Sequence, residues 1–465
     1  MTTKWKTRRA GALVAAASLG LAGCASPVAP QAAQMAPAQW QASAGRAEGV
    51  PLASDWWRQF NDPLLAELIA EAEKANPGLQ LAVARMAQAR ALAGASAAAP
   101  QLSSSASLQR TLPLGERAQT QGGLSLDARW EIDLFARARL SDAADQARAE
   151  ASEFDAAGAR QSLAAEVAST YLGLRSCEQQ ARIAADDARS SELQARFSAE
   201  RLRVGFEAPG NHALLAAAAA DGQSRSLAQQ AECQVLVKQL VALGLGEEAA
   251  LRQRLQARQG QLPEPKRFAL TAVPAQTLAQ RPDVASAAAQ LRAAWADAGS
   301  AQAARYPQLA LTGNITVAGV RMGGNTQDAK SWSFGPVLSL PLFDGNARRA
   351  QAEAAQARFD AASAGYRAAV LGAVREVEEG LVRLDAALAR EGFTRSSAAQ
   401  YLAAFTATEQ RWRSGLASAA ELEQARRLAL AAQSAEVQLQ RERIGAWIAL
   451  YKAAGGGWSA ADQAR

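Results

Sequence analysis

Histidine is almost missing from this chain: His212 is the only one in 465 residues, beside three cysteines and four methionines. With that one histidine in a turn beside Asn211, a metal cluster, a histidine-based triad and a Cys-His nucleophile are all unsupported. No phosphate-cradling loop is present, because Gly455-Gly456-Gly457 follows a helical pattern without Lys and Ser/Thr in the required order. Asp127, Glu131 and Asp133 come nearest to a catalytic carboxylate set, but they share a strand face with Arg129 and read as polar lining. Aromatic residues make up only 6%. Ala, Gln, Arg and Glu dominate whole stretches, which suits long helices packed through small side chains better than an enzyme core. No catalytic residue, metal site or diffusible cofactor is expected.

The basic pI near 9.5 invites a nucleic-acid partner, yet four of the charges behind the net +6 are Lys4, Lys6, Arg8 and Arg9. Without them +6 falls to +2 (6 − 4), and the remaining arginines alternate with Glu and Asp instead of forming a stripe, so no nucleic acid is expected. A membrane-spanning apolar run is missing too. The run from Ala10 to Ala22 is too short to span a bilayer and reads as a secretory signal. It closes with Leu21-Ala22-Gly23-Cys24, which resembles a bacterial lipobox. That resemblance implies removal of residues 1–23 and a diacylglycerol and acyl chain on Cys24; Ala25 in place of Asp points to the outer membrane. Residues 24–62 then read as a lipid-anchored, extended segment.

What is present is a duplication. Pro100-Gln101-Leu102 returns as Pro307-Gln308-Leu309 and Leu134-Phe135 as Leu342-Phe343, offsets of about 207 and 208 residues. Val204-Gly205-Phe206 and Ser414-Gly415-Leu416 are about 210 apart, Asn76-Pro77 and Arg281-Pro282 about 205. Repeat 1 spans 63–271 and repeat 2 spans 272–456, with 457–465 as a tail. Each repeat has helix signals, as at Asp62-Pro63 with helices over Pro63 to Lys74 and Pro77 to Ala97. Each then has a strand hairpin, about 101–134 and 308–343. Leu124, Leu126, Ala128, Trp130, Ile132 and Leu134 alternate with polar residues, as do Trp332, Phe334, Leu338, Leu340 and Leu342. Strands of roughly ten residues with turns near Pro113 to Thr120 and Gly319 to Lys330 match the length a tilted membrane strand needs. Four such strands leave edges that lipid does not tolerate, so closure requires further copies: three give twelve strands, and two give eight, a barrel that side chains would largely fill.

Long helical hairpins follow each strand pair, over about 137–243 and 347–454. Arg137 to Val204 contains no Pro, and a helix of that length is a rod of about 100 Å. In repeat 1 the extra Pro209, Gly210, Asn211 and His212 read as a longer turn than its partner. Cys177 and Cys233 lie about 28 residues either side of Gly205; facing cysteines in an oxidising compartment form a disulfide. Equal spacing leaves open whether they face each other or remain two buried thiols.

The Leu-Phe-Asp-Gly turn into a helix, Arg281-Pro282-Asp283, Tyr306-Pro307-Gln308-Leu309, the duplication and the lipobox together resemble the TolC-like outer-membrane factors. Within them the chain is similar to the OprM-type lipoproteins of resistance-nodulation-division efflux systems. The resemblance implies a mostly α fold with a membrane β-barrel part: a homotrimer with a twelve-stranded barrel and an α-barrel tunnel. It implies a periplasmic adaptor and an inner-membrane transporter as partners, outer-membrane lipid as surroundings, and passive exit of drugs or other small molecules. It implies tip contacts with the adaptor at Val204, Gly205, Phe206, Ser414, Gly415 and Leu416. A gate is expected near Glu421, with Gln424 where an acid is frequent; Glu421 and Glu423 also fit pairing with Arg426 or Arg427 on a solvated face. Protein secretion and metal-ion efflux fit the same duct. A periplasmic coiled-coil lipoprotein of structural role is the rival of another class, and the strand hairpins count against it.

Overall fold

The computed structural model describes residues 40–42, 55–112, 118–265, 278, 281–322 and 325–456. The lipobox with Cys24, most of the segment after it, the hairpin tips at 113–117 and 323–324 and the tail at 457–465 lie outside the described residues.

A short 3-10 turn, Trp56–Phe60, precedes α1 (Pro63–Ala75) and α2 (Pro77–Ala93). Strands β1 (Gln101–Thr111) and β2 (Gln119–Ile132) lead into α3 (Arg137–Arg203) and α4 (Pro209–Ala242), and α5 (Glu248–Gln256) closes the first repeat. The second repeat holds α6 (Pro282–Ala303), β3 (Gln308–Met322), β4 (Asn325–Ser339), α7 (Ala347–Arg413) and α8 (Ala419–Ala453).

Both long helices have 67 residues, about 100 Å at 1.5 Å per residue. Alanine explains how they stay together over that length. Ala138, Ala144, Ala147, Ala151 and Ala156 are buried along the upper half of α3, where small side chains let neighbouring axes approach. Large apolar residues concentrate at the waist instead. Leu65, Leu68, Ile69, Tyr171, Leu172, Leu174 and Leu240 form a core there, roofed by Trp56, Phe60, Trp447 and Tyr451, with the Phe60 and Trp447 rings 5.1 Å apart. Asp62 fixes this waist. Its carboxylate accepts from the Leu64 and Leu65 amides at 3.0 and 3.3 Å and from the Tyr171 hydroxyl at 2.8 Å. Burial pushes the Tyr171 hydroxyl up to about 12, so it remains a donor.

The four strands form one antiparallel sheet in chain order. Their register sorts the side chains by face. Leu126 lies opposite Ser104 and Ile315, and Ile315 opposite Trp332, so the face that carries Leu126 is apolar over most of its height. Ser125, Asp127, Asn314, Thr316 and Ser333 fall on the other face, which is polar.

Several expected boundaries shift. The strands have 11, 14, 15 and 15 residues, not ten, and the expected turn at Gly319 to Lys330 is largely strand. Backbone pairing there continues through polar residues because a ladder needs no apolar face where it meets water. At the other end β2 stops at Ile132 and β4 at Ser339, so Leu134, Leu340 and Leu342 lie past the sheet. The cause is an acid that starts each helix: Asp133 accepts from the Ala138 and Arg139 amides, and Asp344 from that of Arg348. Asp133 is thus a helix-start acceptor and not lining. Helix α2 ends at Ala93, short of Ala97, because Asp142 of α3 binds the Ser96 hydroxyl and the Ala97 amide. Helix α5 was not expected from the sequence.

Candidate functional site

Two surfaces are candidates for the working site: the polar sheet face and the hairpin tips. On the sheet, the Ser105 and Ser125 hydroxyls are 2.9 Å apart, Ser125 donates to Asp127 at 2.8 Å, Asn314 donates to Asp127 and Thr316 to Asn314. Glu131 pairs with Arg137 at 2.6 Å at the first turn of α3. Among the described residues this face is therefore mostly hydroxyl and amide, with Asp127, Arg129 and Glu131 as its charges near the helical end, a surface that hydrogen-bonds to water.

The glycine turns at the tips are built alike in the two repeats. Gly205 and Gly415 have φ of +81° and +75°, a conformation glycine adopts without strain. Phe206 and Leu416 return their amides to the carbonyls of Arg201 and Arg411 at 2.8 and 2.7 Å. Each arginine in turn donates to the carbonyl of that same residue, Arg201 to Phe206 and Arg411 to Leu416, both at 3.1 Å. These clamps hold Phe206 and Leu416 outward, 76% and 71% exposed. A Cβ on either glycine would meet nothing within 4 Å, so backbone conformation, not crowding within the protomer, requires glycine here. The repeated Arg-x-x-x-Gly was visible in the sequence and is the signal that would have found the clamps.

The first-repeat turn is not longer than its partner. Helix α4 begins at Pro209 and α8 at Ala419, each four residues after its glycine, because Pro at the first helical position starts a helix and draws Gly210, Asn211 and His212 into it. Glu421 caps helix α8. The Ser418 amide donates to its carboxylate at 2.7 Å and its own amide to the Ser418 hydroxyl at 3.2 Å, a complete capping box. Glu421 and Gln424 are exposed, whereas Glu423 is buried against Arg426. The Ser418 amide, ahead of the Ser418 hydroxyl, holds the Glu421 carboxyl below its usual 4.5. A lowered value means the cap contributes above the ordinary value and is lost as pH falls through the lowered one. Protection of the Ser418 and Glu421 amides should therefore weaken as pH falls below the ordinary carboxylate range, and in Glu421→Gln hydrogen exchange should show no such step.

Behind the tip lies a buried ionic knot that the sequence alone does not assemble. Arg426, 3% exposed, donates to the Ser191 hydroxyl and the Gln194 carbonyl at 2.8 Å each, pairs with Glu423, and has Asp187 at 3.5 Å. Arg225 of α4 reaches the same Asp187 at 2.9 Å. Gly222 permits this: a Cβ there would sit 3.3 Å from the Ala188 Cα and 3.4 Å from the Asp187 carboxylate. Arg426 was visible only as a neighbour of Glu423, since its partners lie on another helix far along the chain. Higher up, Cys177 and Cys233 do face each other, bonded at 2.09 Å. Arg281 of the Arg-Pro-Asp motif ties α6 to Glu376 at 2.8 Å and to the Ala453 carbonyl at 2.9 Å, a structural staple.

A two-faced sheet with open edges, continued by two 67-residue helices to capped tips, defines the class: an outer-membrane channel with a helical tunnel. The outer membrane efflux protein family matches residues 68–243 and 273–456, and the chain belongs to that family. It is 30% identical over 470 residues to the pyoverdine export outer membrane protein OpmQ of Pseudomonas aeruginosa, covering 96% of this chain and 97% of that one. It is also 30% identical over 465 residues to outer membrane protein OprJ of the same organism, covering 96% and 95%. The solved outer-membrane channel OprN superposes with a TM-score of 0.82 at 28% identity, over 93% of this chain and 98% of that one. The protein is an outer-membrane channel component of tripartite efflux systems.

Proposed function

We propose that three copies close a twelve-stranded barrel and form a passive exit duct for small molecules. A periplasmic adaptor docks at the clamped tips, an inner-membrane transporter supplies the energy, and Cys24 carries the lipid anchor. The single observation behind this reading is the two-faced sheet: one face apolar for lipid, one lined with hydroxyls and amides for water. The clamped Phe206 and Leu416 are the apolar knobs a helical hairpin of the adaptor would receive, with Val204 and Ser414 beside them. Glu421 and Gln424, on the exposed side of α8, are assigned to the tip aperture. Small molecules are favoured as cargo because the similar OpmQ is by name a pyoverdine exporter.

Deleting the gene should raise cellular accumulation of a fluorescent small-molecule dye several-fold, and the wild-type chain should restore efflux. Unchanged accumulation, with loss of a secreted protein or of metal tolerance instead, would overturn the cargo assignment. Palmitate labelling should vanish in Cys24→Ala. On the barrel, Leu126→Arg places a cation on the lipid face at a cost of about 2–4 kcal/mol, whereas Ser125→Arg next to it faces water. Outer-membrane assembly of the first and not the second should fail, as read by membrane fractionation.

A further inference from the structure

The sheet ends in two strand edges, β1 and β4, that pair with nothing among the described residues. We propose that β4 of one copy pairs with β1 of the next in one particular frame, with Ser339 opposite Ser103 and Ser333 opposite Gln109. This rests on the self-closed barrel proposed above and adds the frame in which copies join.

The template is inside the chain. The β2–β3 seam is where the first repeat ends and the second begins. In a ring of copies, the matching place is β4 of one copy against β1 of the next. Within the chain Ile132 lies opposite Leu309. The Leu134/Leu342 correspondence carries Ile132 onto Leu340, and Pro100/Pro307 carries Leu309 onto Leu102. Leu340 then faces Leu102, and counting back along both strands gives Ser339 with Ser103 and Phe334 with Leu108. Parity agrees: a slip of one residue would set Leu338 of the apolar face against Ser103 of the polar face.

Closure supplies a geometric check. Ser103 lies opposite Asp127, Asp127 opposite Asn314, and Asn314 opposite Ser333. In the proposed frame Ser333 meets Gln109 of the next copy, so each copy advances the ladder by about six residues. Three copies advance it by about 59 Å along the strands against about 58 Å of summed strand spacing across them, a strand tilt of about 45° at the edge of the usual barrel range. Setting Ser333 opposite Thr111 raises the tilt to about 54°, outside that range. Setting it opposite Ser107 gives about 35°, which tilt permits and the repeat does not.

The helices independently favour an adjoining copy on this side, while the frame rests on the strands. Helix α6 is flanked on both sides: the Ser300 hydroxyl donates to the Arg137 carbonyl of α3, and Val284 and Leu291 are buried with Tyr366 and Val370 of α7. Its counterpart α2 packs on α3, through Arg90 with Glu153. On α2, Leu81 and Leu92 are left 52% and 61% exposed. The missing flank is the one that α7 of the adjoining copy supplies when β4 meets β1.

The test is disulfide cross-linking of the full-length protein in membranes. Gln109→Cys with Ser333→Cys, and Ser103→Cys with Ser339→Cys, should give ladders of two and three copies on non-reducing gels. Yield should exceed at least tenfold that of the shifted pair Ser107→Cys with Ser333→Cys and of each single variant. A stronger ladder from the shifted pair overturns the frame while leaving a ring. No ladder from any pair, with a single-copy mass in detergent, overturns the ring itself; no ladder with a three-copy mass overturns only the frame.

Discussion

Replacing Arg426 with leucine is expected to destabilise the tip half of the helical tunnel by about 3–5 kcal/mol, the cost of leaving buried Glu423 without its partner and Asp187 with Arg225 alone. Asp187 and Glu423 both lose the guanidinium that crosses from α8 to α3, and Ser191 and Gln194 lose their donor. Hydrogen exchange should rise in 185–195 and 420–430 and stay unchanged at the waist, and the open probability of single channels should increase. Removing the charges together, as Arg426→Leu with Asp187→Asn and Glu423→Gln, should recover most of the loss, because matched neutral groups do not carry the desolvation cost. An Arg426→Leu effect below about 1 kcal/mol would place the knot among surface ion pairs of little weight.

Loss of the disulfide should be comparably large. Cys177 and Cys233 are 56 residues apart, and releasing a loop of that size returns about 4 kcal/mol of chain entropy to the unfolded state. Cys177→Ser with Cys233→Ser should lower stability by that order in denaturant titrations, with the native helix content kept. Dithiothreitol should reproduce the shift in the wild type and do nothing to the double variant. Equal denaturation curves for the two proteins would mean that packing between α3 and α4 alone carries the hairpin at that height.

The fold was legible because it is written twice. One set of offsets near 205 to 210 tied together strands, tips and helix starts, and a period of two over Leu124 to Ile132 cannot be mistaken for a helix. The two long helices were legible from the lack of proline. Strand ends were less so, because a single acid, Asp133 or Asp344, turns the chain by accepting amide bonds that alternation does not register. The tips are legible through their glycines, whereas the arginine clamps four residues earlier show only as a repeated Arg-x-x-x-Gly. Glu421 shows the limit most clearly. A carboxylate three residues after Ser418 is also the signature of a capping box, and that local partner claims it in the structure. The Arg426 knot needed tertiary knowledge: its partners at Asp187, Ser191 and Gln194 are more than 230 residues away in the chain.

The channel itself is best tested by single-channel recording in planar bilayers, on detergent-extracted protein whose mass is measured in parallel. A three-copy assembly is expected, one that inserts and opens in small, cation-favouring steps, with Glu421→Ala altering conductance or selectivity. A single-copy protein that never inserts would contradict the channel, leaving a helical protein whose two-faced sheet serves some other end.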